Sequence, residues 1–187
     1  DQAFAAERSG DGYRVWYAIA DVASFVAPDS ALDAEARIRG VTLYSPDQRA
    51  SLHPDALNES AGSLLPGTTK PAVLWQINLD ADGHQTAAHA HRAMVHSREK
   101  LTYRQAQDRI DAGDDNVSLE LLREIGKLRQ QIETDRGAIS LQLPSQEIST
   151  NSDGDYILHY DTSLPVEGWN AQISLLTGMA AGQIMVD

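Results

Sequence analysis

Three histidines lie close together near the middle of the chain. His89 and His91 are two residues apart, so on a strand both imidazoles would lie on one face, and His96 follows nearby. Imidazole nitrogens are common ligands of transition metals. However, no acidic residue or third ligand stands at a fixed spacing, and a solvated strand face carrying scattered histidines is the commoner arrangement. A histidine metal site is therefore only a minor alternative.

Other candidate functional residues also have structural explanations. Asp21 follows an apolar run, where its carboxylate could cap the next turn or belong to a site at the strand end. Tyr44, Tyr103 and the three tryptophans could stack on nucleic-acid bases, although such residues more often lie in a core. The sequence has no phosphate-binding glycine loop, nucleophile elbow or His-Glu-x-x-His motif. Residue types and spacing alone therefore do not define an activity.

The apolar pattern predicts the elements that would position these residues. Ser30 begins a capping-box-like start for a helix that ends at Gly40, and Thr102 caps a second helix. Apolar spacing from Leu119 to Ile132 predicts a long third helix, and a last helix begins near Val166. Predicted strands cover 13–20, 41–44, 72–79, 86–97, 138–143, 147–150 and 156–160. This order lacks regular βαβ alternation, so we predict an α+β fold of mainly antiparallel sheets with packed helices.

Composition restricts the class of protein. The 187 residues, 42% of them hydrophobic, suit one domain, and no apolar run approaches the roughly 20 residues of a membrane span. We therefore predict a soluble, cytoplasmic protein with no membrane partner. The absence of cysteine excludes disulfides and thiolate metal ligands. The net charge of −12 argues against a stand-alone nucleic-acid-binding protein.

Several blocks occur in an order that resembles one enzyme family. The matching blocks are Asp1-Gln2-Ala3-Phe4, Gly12-Tyr13-Arg14-Val15, Ala18-Ile19-Ala20-Asp21-Val22, Ser30-Ala31-Leu32-Asp33-Ala34-Glu35-Ala36, Leu43-Tyr44-Ser45-Pro46-Asp47, Leu52-His53-Pro54 with Ser63-Leu64 and Pro66-Gly67, Leu101-Thr102-Tyr103 and Arg136-Gly137-Ala138-Ile139. Together they resemble the RNB catalytic domain of the ribonuclease II/R family. Because the blocks cover nearly the whole chain in the correct order, the resemblance is more specific than any single block.

This resemblance implies a Mg²⁺ site. The family's domain begins with closely spaced aspartates, and carboxylates that hold Mg²⁺ activate water and neutralise the charge of a phosphodiester transition state. Asp1 resembles one of these metal ligands, and its acidic partners are expected before the first residue. Gln2 stands where the family most often has Asp, so we expect a weak ligand or a supporting catalytic residue. Asn170 falls about where the family often has Glu.

The resemblance also implies contacts with RNA. Tyr44 corresponds to an aromatic residue that stacks on bases at the end of the bound strand, and Tyr103 to one that contacts the 3′-terminal nucleotides. Stacking tolerates any base sequence. The family's further aromatic partner is expected near Leu141 but is not evident, and its arginine motif is expected beyond Asp187.

The function expected from this resemblance is 3′→5′ exonucleolytic hydrolysis of single-stranded RNA to nucleoside 5′-monophosphates, with Mg²⁺ as cofactor. Residues 1–187 are expected to form the N-terminal and middle part of one RNB-type catalytic domain, truncated at both ends and inactive alone. Accessory RNA-binding domains are expected elsewhere in the full-length chain. The alternative is a catalytically weak RNB-like RNA-binding module, because Gln2 and Asn170 replace expected acids.

Overall fold

The structure, a computed structural model, describes residues 1–45, 48–139 and 144–186. The strands in these ranges are β1 Gln2–Ser9, β2 Gly12–Ala20, β3 Leu43–Tyr44, β4 Arg49–Ala50, β5 Thr69–Leu79, β6 Gln85–His96, β7 Ser145–Thr150 and β8 Tyr156–Asp161. The α-helices are α1 Ala31–Arg39, α2 Tyr103–Ala112, α3 Val117–Asp135 and α4 Pro165–Val186. None of the described helices is both long enough and apolar enough to cross a membrane.

A four-stranded antiparallel sheet in the order β1-β2-β5-β6 forms the centre of the fold. Its strands are adjacent in sequence except for β2 and β5, which the segment containing α1, β3 and β4 separates. β3 pairs with β4, and β7 pairs with β8, in two smaller antiparallel sheets. The predicted α+β class is confirmed.

The alternation of side chains along β2 explains how the sheet packs. Tyr13, Val15 and Tyr17 are buried on one face, where they join the main core with α2, α3 and α4. On the opposite face, Ala18 and Leu64 form a smaller core with Ala72. The sheet therefore has a helix-covered face and an outer face, names that we keep below.

The glycine at the first position of β2 has a specific structural reason. A Cβ atom at Gly12 would lie 2.1 Å from the backbone oxygen of Leu79, so only glycine fits where β2 passes β5. Gly10, which has φ +61°, and Asp11 form the turn from β1, in which Ser9 pairs with Gly12. This turn joins two strands, and β1 was not among the predicted strands.

Local signals at the helix ends agree with the structure. The Ser30 hydroxyl accepts a hydrogen bond from Asp33 N at 3.3 Å, and α1 stops at Gly40, which has φ +75°. Thr102 and Gln105 form a reciprocal capping box at α2. These helix starts match the predictions.

The strands predicted in the middle of the chain are confirmed, whereas the one predicted after α3 is not. The strands predicted over 72–79 and 86–97 are confirmed, including the alanine-rich second one, and they pair as the antiparallel β5–β6 hairpin. The strand predicted over 138–143 is wrong at 138–139, which follow the end of α3 without forming a strand, and 140–143 lie outside the described residues.

Candidate active site

Asp1 lies at the end of the β1–β2 pair. Ala20 N donates to the Asp1 backbone oxygen at 3.0 Å, which places Asp1 opposite Ala20. The Asp1 carboxylate oxygen Oδ2 accepts hydrogen bonds from the Ser63 hydroxyl and, at 3.2 Å, from Leu64 N. Since Leu64 belongs to the small core on the outer face, this carboxylate is held on the outer face.

Gln2 points to the other side of the sheet. It pairs with Ile19, and Phe4 pairs with Tyr17 two residues further along, so the side chains of Gln2 and Tyr17 share the helix-covered face. Gln2 is exposed, whereas Tyr17 is buried. The two neighbouring candidates, Asp1 and Gln2, are therefore on opposite faces at the same end of the sheet.

Asp21 follows β2 and is 5% exposed. Its Oδ2 atom accepts a hydrogen bond from the Ser24 hydroxyl at 2.8 Å and forms an ion pair with Arg92 Nε at 3.0 Å. These contacts secure the turn after β2 and link it to β6. The capping interpretation is thus close to what is seen, although the contact is to a side-chain hydroxyl and not to a backbone amide.

The two candidate RNA-binding tyrosines occupy different elements. Tyr44 is on β3, opposite Arg49 of β4, and is 78% exposed. Tyr103 is the first residue of α2 and is 46% exposed. Neither ring is part of the core, so the structure leaves both accessible to a ligand.

Tyr103 belongs to a polar group that the sequence analysis did not foresee. Asn170 Nδ2 of α4 donates to the Tyr103 hydroxyl oxygen at 3.0 Å. The hydroxyl of buried Tyr17 lies nearby without a hydrogen-bond partner of good geometry among the described residues. Burial raises the pKa of Tyr17, the Ser174 hydroxyl opposes that increase, and Tyr103 adds to it. Asn170 and Ser174 lie one turn apart on α4, and this spacing is the sequence signal that could have indicated the polar group.

The histidine pair has the predicted strand geometry. His89 and His91 are exposed on β6, opposite Gln76 and Leu74, and they share one sheet face. Within 1–45, 48–139 and 144–186, no group of three histidine, aspartate or glutamate side chains is arranged to hold a metal ion. The pair therefore gains no third ligand from this part of the chain.

The chemistry of the donors at the sheet end suits a hard divalent cation. Asp1 offers a carboxylate and Gln2 an amide oxygen, the ligand types that Mg²⁺ accepts. Asp1 is the better oriented candidate ligand because Ser63 and Leu64 already hold its carboxylate, whereas the Gln2 side chain starts on the other face of the sheet. Leu141, the region expected for a further aromatic residue, lies outside the described residues.

These features define an α+β domain with an oriented carboxylate at the end of an antiparallel sheet and with accessible tyrosines on β3 and α2. The family model of the RNB domain matches residues 1–166. The chain therefore belongs to the RNB-domain family of ribonucleases, and the resemblance identified from the sequence is confirmed.

Individual relatives agree with this assignment. Ribonuclease R of Escherichia coli is 28% identical over 162 residues, covering 82% of this chain and 20% of the relative. Two Arabidopsis thaliana proteins, DIS3-like exonuclease 2 and Inactive exonuclease DIS3L2, are each 40% identical over 108 residues, covering 57% of this chain and 10% of theirs. The chain thus spans about a fifth of the length of the bacterial relative.

The fold is also that of a solved relative. The structure of Mycoplasma genitalium RNase R in complex with ribose-methylated single-stranded RNA superposes with a TM-score of 0.86. That comparison covers 92% of this chain and 28% of the other, at 23% identity. At this identity the likeness shows the fold alone.

Proposed function

We propose that the full-length protein is a Mg²⁺-dependent 3′→5′ exoribonuclease that hydrolyses single-stranded RNA to nucleoside 5′-monophosphates. The observation that carries this proposal is the RNB-domain match over residues 1–166. The relatives named ribonuclease R, and the RNA complex of the M. genitalium protein, support RNA as the substrate. The proposed compartment is the cytoplasm.

Asp1 is the proposed metal ligand in this chain. Ser63 and Leu64 orient its carboxylate, and the other carboxylates of the site would come from the part of the full-length protein that precedes it. When bound, Mg²⁺ would supply charge neutralisation and a more acidic water for attack on the phosphodiester. Gln2 would support the site without adding charge, and Tyr44 and Tyr103 would hold bases by stacking.

The proposal also accounts for the acidic charge. A net charge of −12 opposes binding to a polyanion, so the grip on RNA would come largely from accessory domains. The share of the E. coli relative that this chain covers, 20%, leaves room for such domains.

Degradation of 5′-labelled oligoadenylate by the full-length protein tests the activity. With Mg²⁺ we expect a ladder that shortens progressively to small end products, and we expect a 3′-phosphate block to inhibit it. Asp1→Asn should abolish laddering. Asp11→Asn, the same charge change in the exposed β1–β2 turn, should not alter it. A wild-type protein that produces no ladder, or an active Asp1→Asn variant, would refute the proposal.

A second candidate function is an RNA-binding pseudo-nuclease. Gln2 lacks the charge of the aspartate expected there, and one of the similar Arabidopsis proteins is named an inactive exonuclease. The Gln2→Asp variant separates the two functions. If the wild-type protein binds oligoadenylate without cleaving it and Gln2→Asp gains cleavage, the binding module is correct.

A further inference from the structure

The β3–β4 hairpin places an arginine beside the candidate stacking residue Tyr44. Arg49 pairs directly with Tyr44 across the two strands. Ser45 N donates to Gln48 O at 2.8 Å, so the alternation of an antiparallel pair makes Tyr44 and Arg49 a non-hydrogen-bonded pair, the kind whose side chains are closer together. The Tyr44 ring and the Arg49 guanidinium therefore leave the same face of the hairpin as neighbours.

An exposed ion pair holds the Arg49 guanidinium. Its partner is Glu59, in the helical segment Ala56–Ala61, and the two side chains are 49% and 56% exposed. Ion pairs this exposed stabilise a fold little, because water and salt screen them. Within the described residues, Glu59 is the one hydrogen-bonding partner of this guanidinium. An anion that reaches Arg49 therefore competes with a weakly held carboxylate.

A second arginine nearby has a structural role. Arg39 of α1 donates to the Ser51 backbone oxygen at 2.8 Å and to Glu35 at 2.8 Å, so it links α1 to the residue after β4. Arg39 and Arg49 line one open cavity of about 350 Å³, a volume in the range of ligand sites. Arg49 is thus the guanidinium of this cavity that a ligand can take over.

A backbone phosphate is the anion that suits this arrangement. The planar guanidinium matches the geometry of phosphate oxygens, and hydrogen bonds between charged groups are stronger than those between neutral ones. A nucleotide whose base stacks on the exposed ring of Tyr44 carries its phosphate within reach of the neighbouring Arg49. The cavity beside Arg49 provides space for the ribose and phosphate of that nucleotide.

We propose that Tyr44 and Arg49 bind one nucleotide of the RNA together, with the base on the ring and a backbone phosphate on the guanidinium, and that Glu59 competes with this phosphate for Arg49. This proposal rests on the proposed function, because it requires RNA at Tyr44. It adds a salt-dependent contact, and a carboxylate that weakens it, to the stacking role of the ring.

Binding of fluorescein-labelled oligoadenylate to the full-length protein in EDTA tests the phosphate contact without depending on cleavage. Arg49→Gln should lower RNA affinity by about three- to tenfold. One phosphate contact on a single strand contributes about 0.7 to the slope of log affinity against log salt concentration, so the slope should become shallower by that amount. Arg49→Lys keeps the charge and should keep the slope and most of the affinity.

Arg123 provides the matched control for the loss of one positive charge. It forms an exposed ion pair with Glu120 on α3, in which the side chains are 37% and 58% exposed. Arg123→Gln should leave both the RNA affinity and the salt slope unchanged. Equal losses of affinity and slope in Arg49→Gln and Arg123→Gln would overturn the proposal.

Glu59→Gln separates competition for Arg49 from general repulsion of RNA. Release of the guanidinium should raise RNA affinity by about two- to fivefold when Arg49 is intact. In the Arg49→Gln background the same change should raise affinity much less, because no guanidinium is left to release. An equal gain in both backgrounds would show that Glu59 acts through its charge alone and would overturn the competition.

The remaining outcomes separate this proposal from the proposed function. If the wild-type protein does not bind the RNA, both are wrong. If it binds, and Arg49→Gln binds equally well with an unchanged salt slope, only the phosphate contact is wrong. Repeating the comparison with oligoadenylate that has uncharged methylphosphonate linkages identifies the ligand group. An Arg49→Gln penalty that disappears supports the phosphate, and one that persists assigns Arg49 to the base and overturns the proposal.

Discussion

The Ser63 hydroxyl donates a hydrogen bond to the carboxylate of Asp1, which is 62 residues away in the chain. Ser63 is buried, and the next residue, Leu64, both donates its backbone amide to the same carboxylate and packs against Ala18 and Ala72. The segment that closes the small core on the outer face thus also orients the candidate metal ligand. Packing on this face and the orientation of the Asp1 carboxylate are therefore coupled.

Removing the Ser63 hydroxyl should affect both stability and metal dependence. In Ser63→Ala, the carboxylate loses one of two donors, which should cost about 1–2 kcal/mol in unfolding free energy. The proposed nuclease should also need more Mg²⁺ for half-maximal activity, because its ligand is less well oriented. Urea unfolding and a Mg²⁺ titration measure the two effects. Ser60→Ala, at an exposed serine nearby, is the control and should change neither.

The crossing of α3 and α4 depends on a glycine in the middle of α3. A Cβ atom at Gly126 would lie 2.4 Å from Trp169 Cβ, so the two helices approach closely there. Gly126→Ala should destabilise the protein by about 1–3 kcal/mol through overpacking, despite the better helix propensity of alanine. Thermal unfolding measures this change.

Gly178 in α4 is the matched control for that substitution. A Cβ atom at Gly178 meets no atom within 4 Å, so Gly178→Ala should stabilise the protein by about 0.5–1 kcal/mol. Opposite signs at the two glycines are expected. A stabilising Gly126→Ala would show that α3 and α4 do not pack as described.

Asp114 should contribute stability that depends on pH. The hydrogen bonds from the Arg109 guanidinium, followed by that from the Asn116 amide, lower the pKa of Asp114 below its usual 3.8. Because the pKa of Asp114 is lower in the folded state than in the unfolded state, its ionised carboxylate stabilises the fold at pH values above the unfolded pKa. This stabilisation is lost as the pH falls through the folded pKa. Asp114→Asn should therefore be less stable than wild type at neutral pH, with a difference that shrinks in acid below pH 3.8.

Urea midpoints measured from neutral pH down to acid test this expectation. The exposed neighbour Asp115 provides a control, since Asp115→Asn makes the same charge change outside the Arg109 ion pair. A constant difference between wild type and Asp114→Asn across this range would contradict the role of the ion pair.

Local signals in the sequence predicted much of the fold. The start at Ser30 and the capping box at Thr102 lie within single helical turns, and the β5–β6 hairpin depends on a turn between two adjacent runs. β1 was missed because its small residues, such as Ala3 and Ala5, give a weak strand pattern. It is nevertheless a strand, because β2 pairs with it along its whole length.

The candidate site was harder to predict from the sequence because the contacts that hold its residues are long-range. The resemblance identified Asp1 and Tyr103, but the bond from Ser63 to Asp1 and the bond from Asn170 to Tyr103 span 62 and 67 residues. Pairings of this kind depend on how the sheet and helices pack, and no spacing along the chain encodes them. The separation of Asp1 and Gln2 onto opposite faces also required the β1–β2 register.

Tyr44 provides a test of base stacking that is independent of catalysis. Its ring is 78% exposed on the short strand β3, so a substitution there should scarcely affect the unfolding free energy. Loss of one base–aromatic stack costs about 1–3 kcal/mol of binding free energy, so Tyr44→Ala should weaken binding to oligoadenylate by that amount. Tyr44→Phe keeps the π-face and should bind nearly as well as wild type.

A second exposed tyrosine controls for general effects of removing an aromatic residue. Tyr156 on β8 is 66% exposed and has no proposed contact with RNA, so Tyr156→Ala should leave affinity unchanged. Fluorescence anisotropy in EDTA, with the full-length protein, measures all three variants. Equal losses in Tyr44→Ala and Tyr156→Ala would indicate a nonspecific effect, and no loss in Tyr44→Ala would remove Tyr44 from the RNA-binding surface. Because binding is measured without Mg²⁺, the result holds whether the protein is a nuclease or an RNA-binding pseudo-nuclease.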